Sequence, residues 1–495
     1  MRYLSTRDKT IRNTAAQAIA LGIAPEGGLF VPEVLPSLAP GQIETMCHMG
    51  YRQRAVYIMG AFLKDFTTAE LTQFAERAYN GESFDTPEIA PIKKITEDTW
   101  FLELWHGPTA AFKDMALQML PHLLTASLAK TGEEKEVCIL VATSGDTGGA
   151  ALEGFCDVPR TKILAFYPKD GVSEVQKLQM TTQTGSNVGA LGVEGNFDDT
   201  QTGVKAIFGD EIFREALEKR GYVLSSANSI NWGRLLPQIV YYVSAYCDLV
   251  NTGRIAVGDP VNVAVPTGNF GNILAAFYAR QMGIPLGKLI CASNENDVLT
   301  EFFHTGTYNR KRDFHLTISP SMDILVSSNL ERLLFALSGG DDRETGAYMA
   351  ALAQTGRYTV TPRVKREMDQ IFWAESCSDE KTKLVIGATY KKFGYLIDTH
   401  TAVAFDVLNH YRHDTGDKTP AIVISTASPY KFADSVLEAL GEEVEEGGLA
   451  LLEQLHQVTG VLPPAPLTEL GGRRSRFGKS IEVGDMNWAV REFLK

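Results

Sequence analysis

Short apolar runs alternate with helical segments from about residue 136 onward, and this alternation constrains the fold more than any other feature. The run VCILVA (137–142) is followed by a glycine turn and the helical segment GGAALEGF (148–155), as in a strand–helix unit. Further runs are KILAFY (162–167), VNVAVP (261–266), KLICAS (288–293) and AIVIS (421–425). Strands that are apolar throughout and joined by helices form parallel sheets. We therefore predict an α/β fold of mostly parallel, open, twisted sheets with helices on both faces.

Two other parts of the chain have a helical pattern and set the predicted domain organisation. The first hundred residues contain helical stretches around a Pro/Gly-rich segment (24–41), and the region from about 300 to 400 is mainly helical. A chain of 495 residues forms several folding units at roughly 100 to 200 residues each. We predict a largely helical N-terminal domain (1–95), a small α/β domain (96–250) and a large domain (251–495) with a helical insertion at about 300–400.

Composition and charge exclude several classes of function. Lys and Arg number 47 and Asp and Glu number 60, so the net charge is −13 and gives no overall attraction to nucleic acid or anionic lipid. We find no apolar run of the roughly 18 residues that a membrane helix needs. The six cysteines include no C-x-x-C pair of the kind found in zinc sites. We expect a cytoplasmic protein with no metal, no nucleic-acid partner and no membrane contact.

A glycine-rich turn follows the strand at 261–266 and precedes a helix. Its residues are Gly268, Asn269, Phe270, Gly271 and Asn272. Small residues let backbone N–H groups converge at the positive end of the helix dipole, which favours a phosphate. The turn is neither G-x-G-x-x-G nor a Walker loop, so it indicates no dinucleotide or ATP site. The alternative is a tight turn without a ligand.

A lysine stands at the start of the next candidate element, HGPTAAFKDMALQMLPHLL (106–124). Apolar residues at i, i+3 and i+4 spacing predict one buried helix face, formed by Phe112, Met115, Ala116, Met119, Leu120 and Leu123. At the positive end of this helix, and poorly solvated, Lys113 would have a lowered pKa and a nucleophilic amine. The alternative is a solvated lysine on a polar face.

A second turn, Thr143–Gly148, follows the strand at 137–142 and also suits an anion. Its central residues are Ser144, Gly145, Asp146 and Thr147. Hydroxyls and exposed amides at a helix N-terminus favour a carboxylate here. The alternative is a helix N-cap, since Ser, Asp and Thr all cap helices well.

Two single residues complete a consistent set. Arg234 begins a long apolar helix, and its guanidinium fork suits phosphate; Thr426 follows the strand at 421–425, where open α/β sheets bind ligands. A cap or a surface pair is the alternative for either residue. Pyridoxal phosphate needs all four features: a lysine for its aldehyde, a cradle for its phosphate, an anion site for the substrate carboxylate and a partner for its pyridine nitrogen.

Longer motifs occur in a fixed order over most of the chain. They are YLSTR (3–7), GIAPEGGLFVPE (22–33), HGPTAAFKD (106–114), ATSGDTG (142–148), NSINWGR (228–234), PTGNFGN (266–272), SPSMDI (319–324), HTAVAF (400–405) and STASPYKF (425–432). In these motifs the chain closely resembles the threonine synthases, which belong to the tryptophan-synthase-β-like class (fold type II) of pyridoxal phosphate enzymes. The resemblance implies that the small and large domains enclose the cofactor between them.

The resemblance also implies residue roles and a reaction. Lys113 would form the Schiff base with the cofactor, Gly268 to Asn272 would bind its phosphate, and Thr426 would contact its ring nitrogen. The substrate would be O-phospho-L-homoserine, converted with water to L-threonine and phosphate by β,γ-replacement, with Lys113 moving the protons. Ser144 to Thr147 would bind the substrate carboxylate or nearby groups. The candidates for the leaving phosphate are Arg234, Asn231 and Lys169, and for Lys169 the alternative is a solvated surface lysine.

The chain departs from the family pattern at two motifs. Asp8 follows Ser5-Thr6-Arg7 where the family usually has glycine, and Ser428 stands where the family has histidine. Three other functions stay open. A related phospho-lyase or dehydratase would share Lys113 but release a keto acid. A nucleotide-binding oxidoreductase is disfavoured by the missing G-x-G-x-x-G, and a non-catalytic relative by the intact Lys113. The sequence indicates no oligomeric state.

Overall fold

Two parallel sheets surrounded by helices carry most of the chain. The computed structural model describes residues 1–444 and 447–495, apart from the side chain of Asp198. Within these residues the larger sheet has six strands and the smaller has five. This architecture confirms the predicted α/β class and the largely helical N-terminal region.

The elements follow one another in the following order. The N-terminal region contains β1 (Tyr3–Ser5), β2 (Arg12–Asn13), α1 (Ala15–Leu21), β3 (Phe30–Pro32), α2 (Pro40–Cys47), α3 (Tyr51–Phe62) and α4 (Thr68–Ala78). The next part contains β4 (Ile92–Lys94), β5 (Thr99–Glu103), α5 (Asp114–Leu117), α6 (Leu120–Thr131), β6 (Glu136–Ala142), α7 (Asp146–Gly154), β7 (Thr161–Pro168), α8 (Glu174–Thr181), β8 (Val188–Glu194), α9 (Phe197–Gly209), α10 (Glu211–Glu218), β9 (Tyr222–Ser225) and α11 (Trp232–Asn251).

The second half of the chain begins with the central strand of the larger sheet. It contains β10 (Val261–Pro266), α12 (Gly271–Gln281), β11 (Leu286–Ser293), α13 (Val298–Thr305), β12 (Thr307–Asn309), α14 (Leu330–Leu337), α15 (Asp342–Thr355), β13 (Arg357–Thr359), α16 (Pro362–Ile371), β14 (Phe372–Ser376), α17 (Asp379–Phe393), α18 (Thr399–Thr415), β15 (Ala421–Ser425), α19 (Ala433–Leu440), α20 (Ala450–Thr459), α21 (Ala465–Thr468), β16 (Ser480–Glu482) and α22 (Met486–Phe493). Short 3-10 helices lie at Pro320–Met322, Pro429–Phe432, Glu469–Gly472 and Val483–Asp485.

The larger sheet places three chain segments side by side. Its strand order is β14-β11-β10-β15-β5-β4, and all neighbouring pairs are parallel except β4 with β5. The strands β10, β15 and β5 are therefore neighbours, and their carboxyl ends lie at the same edge. Ligands bind at this edge in open α/β sheets.

The smaller sheet crosses the predicted domain boundaries. Its order is β16-β8-β7-β6-β9, and every neighbouring pair is parallel. The strand β16 belongs to this sheet although it lies in the predicted large domain, whereas β5, in the predicted small domain, belongs to the larger sheet. Each of these two short strands pairs with a strand that is distant in sequence, β5 with β15 and β16 with β8. A division of the chain into consecutive segments cannot predict such pairs.

The region from 300 to 400 is mainly helical, as its pattern predicts, but it also contains short strands. It contains β12, β13 and β14 between its helices. The predicted helix over 363–375 ends at Ile371, and Phe372 begins β14, which pairs with β11 from Leu289 to Ser293. The aromatic pair Phe372–Trp373 favours a strand, and the open edge of β11 provides its hydrogen-bond partners.

The buried helix α11 joins the N-terminal region to the rest of the core. It packs against α3, α5 and α12. Its first residue, Trp232, is fully buried and makes ring contacts with Tyr3 and Phe62 of the N-terminal region. Such aromatic pairs each contribute about 0.5–1.5 kcal/mol beyond their area burial. Among the described residues, no helix combines the length and apolar character needed to cross a membrane.

Candidate active site

A pocket with an empty volume of about 510 Å³ lies at the carboxyl ends of β10, β15 and β5. The predicted site residues that line it are Lys113, Arg234, Gly268, Asn269, Phe270, Gly271, Asn272 and Thr426. The structure therefore joins the lysine, the first glycine-rich turn, the strand-end hydroxyl and the arginine in one place.

The turn after β10 approaches a neighbouring backbone very closely. A Cβ at Gly268 would lie 2.6 Å from the carbonyl oxygen of Ser321, so no larger residue fits there without backbone movement. Phe270 has a φ of 64°, an uncommon value for a residue with a side chain, and its buried ring stacks on Phe303. These contacts fix the turn from which α12 begins at Gly271. The first N–H groups of that helix have no partner within it and are free for an anion.

Asn272 is the strongest local sign of a ligand. Its side-chain oxygen accepts hydrogen bonds of 2.6 Å from the hydroxyls of Tyr241 and Tyr242. Its buried Nδ2, by contrast, has no hydrogen-bond partner among the described residues. An unsatisfied buried donor is uncommon and calls for an acceptor. Because Asn272 lines the pocket, a ligand bound there can supply one.

Lys113 is held next to Thr426 by backbone contacts. Ala111 forms an isolated antiparallel bridge with Ala427, and the N–H of Phe112 donates to the carbonyl oxygen of Thr426 at 2.7 Å. The Lys113 ammonium lies 4.3 Å from the centre of the Phe112 ring. The lysine side chain is partly exposed to the pocket.

The pKa of Lys113 is lowered to about 7. Removal from water is the main cause, and the positive charges of Arg234 and Lys431 add to it, while Asp146 opposes it. The direction agrees with the prediction, and the poor solvation expected at this position is its main cause. The predicted single helix is divided into α5 and α6, and α5 has only four residues. The predicted apolar face is buried except for Phe112, which is partly exposed.

The second turn, between β6 and α7, is built from groups that already have protein partners. Gly145 has a φ of 132°, and a Cβ there would lie 2.3 Å from the Gln176 side chain. Asp146 accepts hydrogen bonds from Gln176 Nε2 at 2.9 Å and from Ser321 Oγ at 3.3 Å, and it forms a 2.8 Å ion pair with Lys431. Burial would raise the pKa of Asp146, but Lys431, Gln176 and His400 hold it well below its usual range.

The three candidates for the substrate phosphate have different positions. Arg234 is buried in the pocket wall, where burial lowers its pKa to about 10, and its guanidinium donates to the carbonyl oxygen of Ala227. Asn231 does not line the pocket. It caps α11 by accepting from the N–H of Gly233, and its amide donates to Ile19. Lys169 lies apart from the pocket at the end of β7, exposed and paired with Glu194 at 2.9 Å, which favours the surface alternative.

Several residues of the site had no role in the sequence analysis. Ser229, Gln238, Ser321, Met322 and His400 also line the pocket. His400 Nδ1 is 2.8 Å from Asp398, and its Nε2 accepts from the backbone N–H of Ser321. The motifs SPSMDI and HTAVAF contain Ser321 and His400 and could have signalled them. Ser428, which replaces the family histidine, is buried and accepts from the N–H of Tyr430.

These features fit pyridoxal phosphate. Asn272 Nδ2 and the start of α12 offer donors for the phosphate, Lys113 offers an amine for the aldehyde, and Thr426 offers a hydroxyl for the ring. The fold and the pocket together define a pyridoxal phosphate-dependent enzyme. Family models agree: "Pyridoxal-phosphate dependent enzyme" matches residues 85–427, "Threonine synthase N terminus" matches 2–79 and "Threonine synthase, C-terminal" matches 401–470. The chain belongs to the threonine synthase family.

Individual relatives support the same family. A threonine synthase of Pseudomonas aeruginosa is 40% identical over 89% of this chain and 90% of its own length. The crystal structure of PLP-bound threonine synthase from Brucella melitensis has a TM-score of 0.87 and 36% identity, covering 100% of this chain and 99% of that one. Human threonine synthase-like 1 is 42% identical over 95% of this chain, and the chain spans 64% of the length of that protein.

Proposed function

We propose that this chain converts O-phospho-L-homoserine and water to L-threonine and inorganic phosphate, a β,γ-replacement of the lyase class. The observation that carries the proposal is the single pocket that joins a lysine of lowered pKa, a turn with an unpaired donor and the buried cation of Arg234. The likeness to threonine synthases over most of their length supports it.

The chain's own residues provide binding and proton transfer. Bound pyridoxal phosphate supplies a carbonyl that joins the substrate amine and a conjugated ring that spreads negative charge from the substrate carbons. The turn at 268–272 holds the cofactor phosphate. Lys113 Nζ removes a proton from the substrate Cα and another from Cβ, which lets phosphate leave Cγ, and it then returns protons to Cγ and, after water has added at Cβ, to Cα. Because its pKa is about 7, the amine and the ammonium are both populated near neutral pH.

The remaining residues act on orientation and charge. Thr426 contacts the ring nitrogen with a hydroxyl, which cannot keep that nitrogen protonated as a carboxylate would, so catalysis depends more on Lys113. The N–H groups of Ser144, Asp146 and Thr147, at the start of α7, bind the substrate carboxylate, whereas that of Gly145 already donates to Thr143 Oγ1 at 2.9 Å. Arg234 is the candidate cation for the phosphate that leaves Cγ, before water adds at Cβ. All six cysteines are free, which supports a reducing cytoplasm as the location.

Product analysis tests the reaction. The purified holoenzyme is incubated with O-phosphohomoserine, and threonine, phosphate and 2-oxobutyrate are measured. We expect equal amounts of threonine and phosphate. Phosphate with 2-oxobutyrate and no threonine would replace the proposal by a phospho-lyase, and the absence of all three products would contradict both. The matched control is Lys113→Ala loaded with the cofactor, which should form none of them.

A further inference from the structure

Lys431 is a completely buried lysine with a full set of acceptors. Its side chain has 0% exposure. The ammonium donates to Asp146 Oδ1 at 2.8 Å, to the carbonyl oxygen of Thr109 at 2.9 Å and to Gln179 Oε1 at 2.9 Å. A lysine ammonium has three donors, so all of them are used. Burying a charge is costly unless each donor is paired, and here each one is.

The partners of Lys431 belong to separate parts of the site. Thr109 lies in the loop that leads to Lys113, and Asp146 lies in the turn after β6 of the smaller sheet. Lys431 itself follows Thr426 and β15 of the larger sheet, within the 3-10 helix Pro429–Phe432. One ammonium therefore connects the lysine loop and the two strand ends that belong to different sheets.

The charge of Asp146 lies where an anion is proposed to bind. Asp146 is in the first turn of α7, among the N–H groups assigned to the substrate carboxylate. Its pKa is held well below the usual range, so it is ionised at neutral pH. Without a counter-charge, a buried carboxylate at this position would repel a second carboxylate. The ion pair with Lys431 removes that net charge while leaving the N–H groups of the turn in place.

We propose that Lys431 is a positioning residue for substrate recognition: it neutralises Asp146 and so allows the turn at 143–148 to accept the carboxylate of an amino-acid substrate. The inference rests on the proposed function for the location of that carboxylate. It adds a residue that is not expected to touch the substrate but sets the charge preference of its binding turn.

The test compares ligands with and without a carboxylate. L-threonine and 1-amino-2-propanol share an amine and a hydroxyl, and only the first has the carboxylate. Their affinities for the holoenzyme are measured from the visible absorbance of the bound cofactor. In Lys431→Met we expect L-threonine to bind at least tenfold more weakly, with the affinity for 1-amino-2-propanol changed less than threefold. The double variant Lys431→Met/Asp146→Asn restores neutrality and should regain most of the lost affinity.

The second readout is the pH dependence of L-threonine binding. Asp146 faces Lys431, His400 and Lys113 as charged or titratable groups, with Gln176 and Ser321 as hydrogen-bond donors. In Lys431→Met, the main group that lowers the pKa of Asp146 is lost, so burial should raise that pKa. Affinity for L-threonine should then fall as pH rises and Asp146 ionises. The double variant, which lacks that carboxylate, should not show this change.

Several outcomes would overturn the inference. A purely structural role predicts equal losses for both ligands in Lys431→Met and no recovery in the double variant. If Lys431→Met does not fold, the single variant Asp146→Asn decides. It keeps the cation of Lys431 and removes the negative charge, so it should bind L-threonine at least as well as the wild type. Tenfold weaker binding by this variant would refute the inference. Formation of 2-oxobutyrate in place of threonine would overturn the proposed function but leave this binding test valid. Failure of the wild-type holoenzyme to bind L-threonine would overturn both.

Discussion

The two glycine-rich turns of the site have the same local construction and different electrostatics. Each follows a buried parallel strand and begins a helix, at Gly271 in one case and at Asp146 in the other. The turn at 267–272 contains no charged side chain and has a buried donor without a partner, Asn272 Nδ2. The turn at 143–148 contains a buried carboxylate that is bonded to Lys431, Gln176 and Ser321.

The difference shows that the strand–turn–helix pattern specifies geometry but not ligand charge. In both turns we expect the first N–H groups of the helix to bind an anion. In the first turn, all of these donors are neutral and come from one stretch of the chain, the turn itself and the start of α12. In the second, the net charge is set by a lysine far along the chain. We therefore expect the first turn to tolerate few changes without loss of cofactor, and changes in the second to affect the substrate instead.

The largest effect is expected from Lys113→Ala, because this lysine lines the pocket with the first turn, interacts electrostatically with Asp146 of the second and is proposed to serve both ligands. Loss of a positioned general acid–base alone reduces kcat by about 10²–10⁴-fold, and loss of the covalent attachment adds to this. The measurements are kcat and mass analysis after borohydride reduction. The wild type should carry the reduced adduct at Lys113. An adduct at any other residue would contradict the assignment.

Gly268→Ala and Gly145→Ala form a matched pair that separates the two turns. The first places a Cβ 2.6 Å from a backbone oxygen of Ser321. Overpacking of this kind costs about 1–3 kcal/mol, so the cofactor Kd should rise by roughly 5- to 150-fold. The second displaces the Gln176 side chain and should raise KM for substrate while the cofactor Kd changes less than threefold. Equal losses of cofactor affinity in both variants would remove the proposed distinction.

Asn272→Asp tests the unpaired donor itself. The variant keeps an oxygen for the hydroxyls of Tyr241 and Tyr242, replaces the Nδ2 donor by a second oxygen and adds a negative charge that repels the phosphate. Hydrogen bonds to charged groups contribute about 1.5–3 kcal/mol, so cofactor affinity should fall by at least about tenfold. Equilibrium titration of the apoprotein measures this loss. Unchanged affinity would mean that Asn272 does not contact the phosphate.

The pH dependence of cofactor attachment tests whether the pKa of Lys113 is lowered. Only the neutral amine attacks the aldehyde, so the attachment rate rises with pH as the ammonium loses its proton. Because the pKa of Lys113 is lowered to about 7, the rate should be half-maximal near pH 7. Stopped-flow absorbance of apoprotein mixed with pyridoxal phosphate measures it. A rate still rising steeply above pH 9 would indicate an ordinary, solvated lysine.

Sequence patterns predicted the parts of the site that are local in the chain. The strand predicted at 261–266 has these bounds in the structure, and its turn, Lys113 and Thr426 meet in one pocket because β10, β15 and β5 are neighbours. Ser321 and His400 were missed as site residues. Their contact joins residues 79 positions apart, and that of Ser321 with Asp146 joins residues 175 apart. Periodicity and turn chemistry act over a few residues and carry no information on such pairs.

Lys169→Ala should have the smallest effect. It tests whether a cation outside the two turns takes part in binding the substrate. Lys169 is exposed, belongs to neither turn and, among the described residues, its ammonium pairs only with the partly exposed Glu194. Exposed ion pairs contribute little to stability, so the free energy of unfolding should change by less than about 1 kcal/mol. The value of kcat/KM should stay within twofold of the wild type. The matched variant is Arg234→Met, which removes a buried cation that lines the pocket and should raise KM strongly. If Lys169→Ala raised KM as much, the substrate phosphate would contact the edge of the smaller sheet, and the two turns alone would not account for anion recognition.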